Sequence, residues 1–290
     1  MHQLLRRPLP GRSGATIRSA CEYSDRAIDG VEVMVVHVRP ARLLTAALLT
    51  AALLTGSLSA ADSPAGPPET QTLDLGNDLT LKLVRIPAGT GTVGVPTDAP
   101  ARGKADQDAH EVTIAKDFLL GTTEVTQAQY QQVMGDNPTT VEALNPQKRT
   151  QMVGPEYPVV RVSLKQAKEF CAKLGQKTGR RVRLPTDEEW EYAARAGGDG
   201  LSGRPLDEVA WHKGNSGEQQ HPVATKPGSA WGLHDMIGNV GEWVTAAKGN
   251  YIVGGDWATK PENCRASRRA PHGALHNDAW SGFRVLVEAP

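Results

Sequence analysis

Apolar positions recur at helical or strand spacing only in short stretches, and polar or glycine-rich segments separate these stretches. Three stretches have the spacing of an amphipathic helix, and each contains or follows a serine or threonine that can serve as its N-cap. The predicted helices span 123–134, 164–174 and 187–195, with Thr126, Ser163 and Thr186 as their caps. Strands are predicted at 81–86, 112–120 and 159–162. No long periodic segment follows Gly197, so short turns and loops are expected there.

The first sixty residues follow a different pattern. An apolar run from Leu43 to Leu58 comes after Arg39 and Arg42, and small residues follow it. A basic region, an apolar region and a small-residue exit are typical of a secretory signal peptide, although an uncleaved anchor is the alternative. The run is short for a membrane span. We predict a mis-assigned extension at 1–33, a signal peptide at 34–61 and a Pro-rich linker at 62–79.

This export signal predicts a periplasmic or extracellular protein with no stable membrane span after cleavage. The chain has 290 residues and a formal net charge of zero, so we expect no nucleic-acid partner. Its 30 glycines and 20 prolines favour a loop-rich fold over a helix bundle. Cys21 lies in the predicted extension, and Cys171 and Cys264 remain, either as one disulfide or as two free thiols. Helical spacing places Cys171 on a buried helix face.

Several short motifs follow one another in order. EVT begins at Glu124, RLPTDEEWEYAARAG at Arg183, GLHDMIGNVGEWV at Gly232, GGDW at Gly254 and GFRV at Gly282. In this order they resemble the formylglycine-generating, sulfatase-modifying factor family over roughly residues 80–287. The resemblance implies an α+β fold: a single compact C-type-lectin-like domain at 80–290, loop-rich, with few short helices and strands. The tryptophans are expected to serve as core pillars.

The resemblance also implies a catalytic position. Active members bind copper(I) through two cysteines near the C-terminus and convert a substrate cysteine to formylglycine. In this sequence Thr259 takes the place of the first cysteine, Cys264 is the second, and Asp256 stands where the family has serine. Copper(I) prefers soft thiolates, and a threonine hydroxyl is a hard, weak ligand. We therefore expect Cys264 to be vestigial and the protein to bind no copper.

A calcium site is the second implication of the resemblance. The family binds calcium through an N-x-x-E segment, which Asn239, Val240, Gly241 and Glu242 match. Calcium takes several oxygen ligands from a flexible loop, which side chains and backbone carbonyls can supply. The alternative is that Asn239 caps a turn and Glu242 pairs with an arginine.

The resemblance places the segment around 272–278 beside the substrate groove, to which we assign Trp257, Arg268, Arg269, His272 and His276. Two histidines four residues apart also suggest a metal face, with Asp278 and Cys264 nearby. Pro271 and Gly273 argue against a helix here, so exposed loop histidines are the alternative. Together with Arg265, the two arginines would either bind an anion or form buried ion pairs.

Three functions are compatible with these residues. The first is a secreted module without oxidase activity that binds a protein, peptide or glycan in the groove left by the lost site. The second is an oxidoreductase that still converts a cysteine in a target protein. The third is a structural role in a cell-surface assembly.

Overall fold

The computed structural model describes residues 68–100, 102–139 and 152–289. The predicted extension at 1–33 and the predicted signal peptide at 34–61 lie outside the described residues, as do residues 62–67 of the predicted linker. The described residues all fall in one compact unit, which spans Gly56–Pro290. Among them, no helix combines the length and the apolar character needed to cross a membrane.

Eleven strands within these residues form two sheets and a hairpin. The strands are β1 Thr70–Gly76, β2 Leu79–Ile86, β3 Gly89–Val93, β4 His110–Ile114, β5 Phe118–Gly121, β6 Val182–Arg183, β7 Gly241–Val244, β8 Tyr251–Val253, β9 Arg269–Pro271, β10 Ser281–Gly282 and β11 Leu286–Glu288. Their order is β1–β2–β5–β11–β6 in a five-stranded sheet and β10–β7–β8–β9 in a four-stranded sheet, and β3 pairs with β4. Strand β11 lies between β5 and β6, antiparallel to both.

Three of the four α-helices in the described residues begin at a side-chain N-cap, whereas the fourth, which follows Pro205, has none. They are α1 Gln127–Met134, α2 Leu164–Thr178, α3 Asp187–Arg195 and α4 Leu206–Val209, with a 3-10 turn at Pro261–Asn263. Thr126, Ser163 and Thr186 each accept a hydrogen bond from a backbone amide in the first turn of α1, α2 and α3. The side chain of a glutamine or glutamate three residues later accepts a hydrogen bond from the backbone amide of the cap residue, which completes a capping box.

Two buried aromatic side chains connect the elements around the core. The Trp190 indole on α3 donates to Glu242 Oε2 on β7 at 2.7 Å. The Trp243 indole, also on β7, donates to the Val162 carbonyl at 2.7 Å. Both tryptophans are fully buried, so the expectation of core pillars holds for them.

Three predicted elements differ from the structure. The strand expected at 112–120 is divided into β4 and β5, because the Asp117 carboxylate accepts the Ala88 amide at 2.6 Å and holds a bend between them. Residues 159–162 form no strand, since Arg161 has a left-handed φ of 62°. The helix expected from 123 begins at Gln127.

The boundary between linker and domain is also corrected. The range 62–79, expected as linker, contains β1 and the turn that joins it to β2. Leu73 and Leu75 on β1 are buried, so alternating apolar side chains tie this segment to the core. The folded domain therefore begins before residue 80.

Candidate functional site

The connection between β8 and β9 brings Thr259 and Cys264 side by side. Gly254 and Gly255 both have left-handed φ values, 85° and 81°, which turn the chain sharply after β8. A Cβ placed on Gly255 would lie 3.2 Å from Thr259 Cγ2 and 3.4 Å from Cys264 Sγ. The two positions that match the family's cysteine pair therefore face one spot, and only one of them carries sulfur.

The Thr259 hydroxyl already has a structural partner. It accepts a hydrogen bond from the Asp256 amide at 3.1 Å, and Asp256 Oδ1 accepts from the Ala258 amide at 2.8 Å. Burial raises the pKa of the Asp256 carboxyl. The two side chains stabilise a tight turn at 256–259, which gives each of them a role that needs no catalysis.

Cys264 is a buried thiol. Its side chain is 3% exposed, and burial, with Asp256 as a second cause, raises its pKa to about 12. A thiol with such a pKa is protonated at neutral pH and is a poor nucleophile. Cys171 on α2 is equally buried, with its pKa raised to about 12 by burial. Both cysteines are free, which decides between the two alternatives left by the sequence.

The four residues that match the family's calcium segment are all buried, and Glu242 is fully engaged. Its Oε1 accepts from Arg284 at 2.6 Å, and its Oε2 accepts from Arg284 Nε and from Trp190, each at 2.7 Å. These contacts favour the arginine pair over calcium ligation for Glu242. Asn239, by contrast, accepts the His221 amide through Oδ1 at 2.9 Å and donates to Glu124 Oε1 at 3.1 Å.

Glu124 is a site residue that the sequence interpretation missed. It is 1% exposed, and its Oε2 has no hydrogen-bond partner within the described residues. The nearby Asp235 Oδ1 is buried and unpartnered in the same sense. Burial first, and the Asp235 charge second, raise the pKa of Glu124 well above its usual range. Its position in the EVT motif, which helped to carry the resemblance, was the available signal.

These oxygens pass a test of fit for a calcium ion. Unpartnered buried carboxylate oxygens are costly without a cation, and hard oxygen donors are what calcium prefers. Glu124 and Asp235 would hold the ion through their unpartnered oxygens, and the Asn239 amide nitrogen would orient Glu124 by donating to its Oε1. Glu242 would instead hold Arg284 in place.

Two of the three arginines considered for anion binding form buried ion pairs. Arg265 pairs with Asp106, and Arg269 pairs with Asp187. Arg269 also stacks on the Tyr251 ring at 4.3 Å and lines a cleft of about 630 Å³. Arg268 is half-buried, and its carbonyl accepts the Gly254 amide at 3.2 Å. The ion pairs favour a structural role for Arg265 and Arg269.

The segment 272–280 carries the other candidate residues. Among the described residues, the large hydrophobic side chains that are exposed are Leu275, at 79%, and Trp280, at 42%. Trp280 packs edge to face on the half-buried Trp257 with ring centroids 6.2 Å apart. We call Trp257 and Trp280 the aromatic surface. The sequence interpretation assigned Trp257 to the groove but not Trp280, and the expectation that the tryptophans serve as core pillars does not hold for Trp280.

His272 and His276 lie on this same segment. Their rings are 4.4 Å apart, and His276 contacts Asp278. Burial, then His276, lowers the pKa of His272. In the described part of the chain, the metal-ligating group formed by these side chains does not include Cys264.

Solved structures share this arrangement of elements. Treponema denticola variable protein 1 superposes with a TM-score of 0.66 at 25% identity, covering 77% of this chain and all of that one. PvdO from Pseudomonas aeruginosa gives a TM-score of 0.66 at 27% identity, covering 78% of this chain and all of that one. The fold is therefore the loop-rich α+β, C-type-lectin-like domain expected from the motifs.

The family follows from the sequence comparison. The model of the sulfatase-modifying factor enzyme 1-like domain matches residues 75–289, and the chain belongs to this family. Inactive C-alpha-formylglycine-generating enzyme 2 of Bos taurus is 29% identical over 230 residues, which cover 60% of this chain and 73% of that protein. Formylglycine-generating enzyme of Bos taurus is 27% identical over 220 residues, 57% of each chain. Chaperone protein LppX of Paenibacillus barcinonensis is 30% identical over 196 residues, 48% of this chain and 65% of that protein. The chain thus spans less than two thirds of the last two relatives.

Proposed function

We propose that this chain is an exported member of the family that has no formylglycine-generating activity and binds a protein, peptide or glycan through its aromatic surface. The observation that carries this proposal is the convergence of Thr259 and Cys264 on one spot with a single sulfur between them. A lone buried thiol beside an engaged threonine hydroxyl cannot supply the pair of thiolates that copper(I) prefers.

The aromatic surface supports a binding role. Tryptophan is enriched at the energetic centres of binding interfaces, because it buries a large apolar area and keeps a polar N–H for a partner. The Trp257 indole nitrogen is buried and has no hydrogen-bond partner in the described residues. The names of two relatives agree with this proposal, since one is called inactive and another a chaperone protein.

Trp280→Ala should weaken ligand binding by about thirtyfold, which corresponds to about 2 kcal/mol for an interface hot spot. The wild-type protein would be screened against an array of unstructured peptides and an array of glycans, and the strongest ligand titrated by calorimetry. Cys264→Ala is the matched control, because this thiol is buried and should not contact the ligand. Equal affinity in wild type and Trp280→Ala would contradict the proposal that the aromatic surface binds the ligand.

The alternative function is an oxidoreductase that converts a cysteine in a target protein, as the family resemblance implies. Copper(I) titration of the wild type separates the two, since we expect no stoichiometric copper and no oxidation of a Cys-x-Pro-x-Arg peptide in air. Thr259→Cys should gain one equivalent of copper(I), because the second thiol would then face Cys264. The variant also loses the hydroxyl that accepts the Asp256 amide, at a cost of about 1 kcal/mol. Peptide oxidation by the wild type would overturn the inactive assignment.

Export and calcium complete the proposal. The basic and apolar pattern at 34–61 supports cleavage and release to a periplasm or the cell exterior, which sequencing the N-terminus of the native protein tests. The buried, unpartnered oxygens of Glu124 and Asp235 support one calcium ion as a structural cofactor. Such an ion would stabilise the turn that leads into β7 and would take no part in ligand chemistry.

A further inference from the structure

We propose that His272, His276 and Asp278 form a binding site for a divalent first-row transition-metal ion, with Zn²⁺ as the reference ion. One ligand atom from each of the three side chains lies within 4.8 Å of the other two. Two donors on a tetrahedral zinc ion lie about 3.4 Å apart, because each metal–ligand bond is about 2.1 Å long. Side-chain rotations that move a donor by about 1–2 Å therefore bring the three donors to coordination distance.

The backbone of this segment is held at both ends. The His272 amide donates to the Asn250 carbonyl at 3.0 Å, and the Asp278 carbonyl accepts the Arg161 amide at 2.9 Å. Between these anchors, the His276 amide donates to the Gly273 carbonyl at 2.9 Å and closes a tight turn. The fold thus presents the three side chains together without help from a helix, although the sequence pattern around Pro271 and Gly273 argued against a metal face.

Neighbouring groups orient the three ligands. Asp278 Oδ1 accepts from the Trp280 amide at 3.2 Å and from the Ser281 hydroxyl, which leaves Oδ2 directed toward His276 Nε2. The His272 ring packs edge to face on Trp243 with centroids 6.1 Å apart. Partners of this kind fix ligand orientation in known metal sites and raise affinity there.

The ligand set selects the class of ion. Two imidazoles and one carboxylate suit zinc, iron, nickel or copper(II), whereas calcium prefers oxygen donors and copper(I) prefers sulfur. The site is therefore chemically different from both the Glu124 cluster and the Cys264 position. Three protein ligands leave at least one coordination position open on a tetrahedral ion. Asp278 lies two residues from Trp280, so an open position here would accept a donor atom from a ligand bound at the aromatic surface.

Zinc titration of the purified protein by calorimetry tests the site. We expect one equivalent of Zn²⁺ in the wild type, and visible absorption bands from Co²⁺ in the same position. His276→Asn and Asp278→Asn should each weaken Zn²⁺ binding at least about tenfold, since loss of even an outer-shell partner costs 10–100-fold. His276 is 41% exposed, so this variant should fold normally, which circular dichroism checks.

His110→Asn is the matched control. The His110 side chain is 39% exposed and also lies near a carboxylate, since its Nε2 is 3.4 Å from Glu188 Oε1. Among the described residues, however, His110 belongs to no group of three metal-ligating side chains. This variant should bind Zn²⁺ as the wild type does. The proposal is overturned if the wild type binds no Zn²⁺, or if binding survives in both His276→Asn and Asp278→Asn. A loss of binding in His110→Asn would also overturn it, because the zinc would then lie elsewhere.

Discussion

Arg284→Met is expected to lower the free energy of unfolding by about 3–5 kcal/mol, because it leaves the Glu242 carboxylate buried without its cation. Arg284 is fully buried and makes two charge-assisted bonds to Glu242 at 2.6 and 2.7 Å. Its remaining donors reach the carbonyls of Gly121 and His234, at 3.0 and 2.9 Å. Urea denaturation with linear extrapolation measures the loss.

An exposed ion pair supplies the control. Arg85 pairs with Glu69 at 2.8 Å and also with Asp117, but the Arg85 and Glu69 side chains are about half exposed, so Arg85→Met should lower the stability far less than Arg284→Met does. The double variant Arg284→Met with Glu242→Gln keeps an acceptor for Trp190 and removes both charges. It should be more stable than Arg284→Met alone. If the stability losses of Arg284→Met and Glu242→Gln simply add in the double variant, the broken ion pair is not the cause of the Arg284→Met loss.

Calcium at a hundred times its dissociation constant is expected to raise the stability of the wild type by about 2.7 kcal/mol, and Glu124→Gln should lose most of this gain. The Glu124 carboxylate is buried with an unpartnered oxygen and has Asn239 as its neighbour. Thermal unfolding with and without calcium measures the difference. Glu169→Gln, on an exposed part of α2, is the control and should keep the full calcium response.

The pH dependence without calcium gives a second readout of the same group. Burial raises the pKa of Glu124 in the folded state above its unfolded value, so the folded protein holds this proton more tightly. The proton's contribution to stability is present below the unfolded pKa and is lost as the pH rises through the folded pKa. When a chelator removes calcium, the stability of Glu124→Gln should fall less with rising pH than the stability of the wild type. A full calcium shift in Glu124→Gln would contradict the assigned ligand.

Local chemistry made the helices predictable. Thr186 and Glu189 lie three residues apart in the sequence, and their reciprocal bonds require no distant partner. Strand pairing depends on residues far away, which is why 112–120 looked like one strand. The break between β4 and β5 requires the Ala88 amide, which is 29 residues from Asp117.

The same difference between local and distant contacts explains which parts of the candidate site could be predicted. The threonine at the position of the family's first cysteine could be recognised in the sequence, because Thr259 and Cys264 lie in one short motif. Glu124 could not be placed beside Asn239, since 115 residues separate them. The exposure of Trp280 could not be predicted from the sequence either, because a tryptophan in a glycine-rich segment is compatible with core or surface. In the structure Trp280 is exposed. The motifs indicated which positions match the family's site, but only the folded structure showed which residues lie beside them.

The position of β11 between β5 and β6 has a consequence for how this protein is made. Leu286–Glu288 completes a sheet whose other strands are formed by residues 70–183, so the five-stranded sheet cannot close until residues 286–288 are available. Contacts this distant along the chain form slowly and late. A polypeptide emerging N-terminus first would therefore remain without its finished sheet until residues 286–288 had been synthesised.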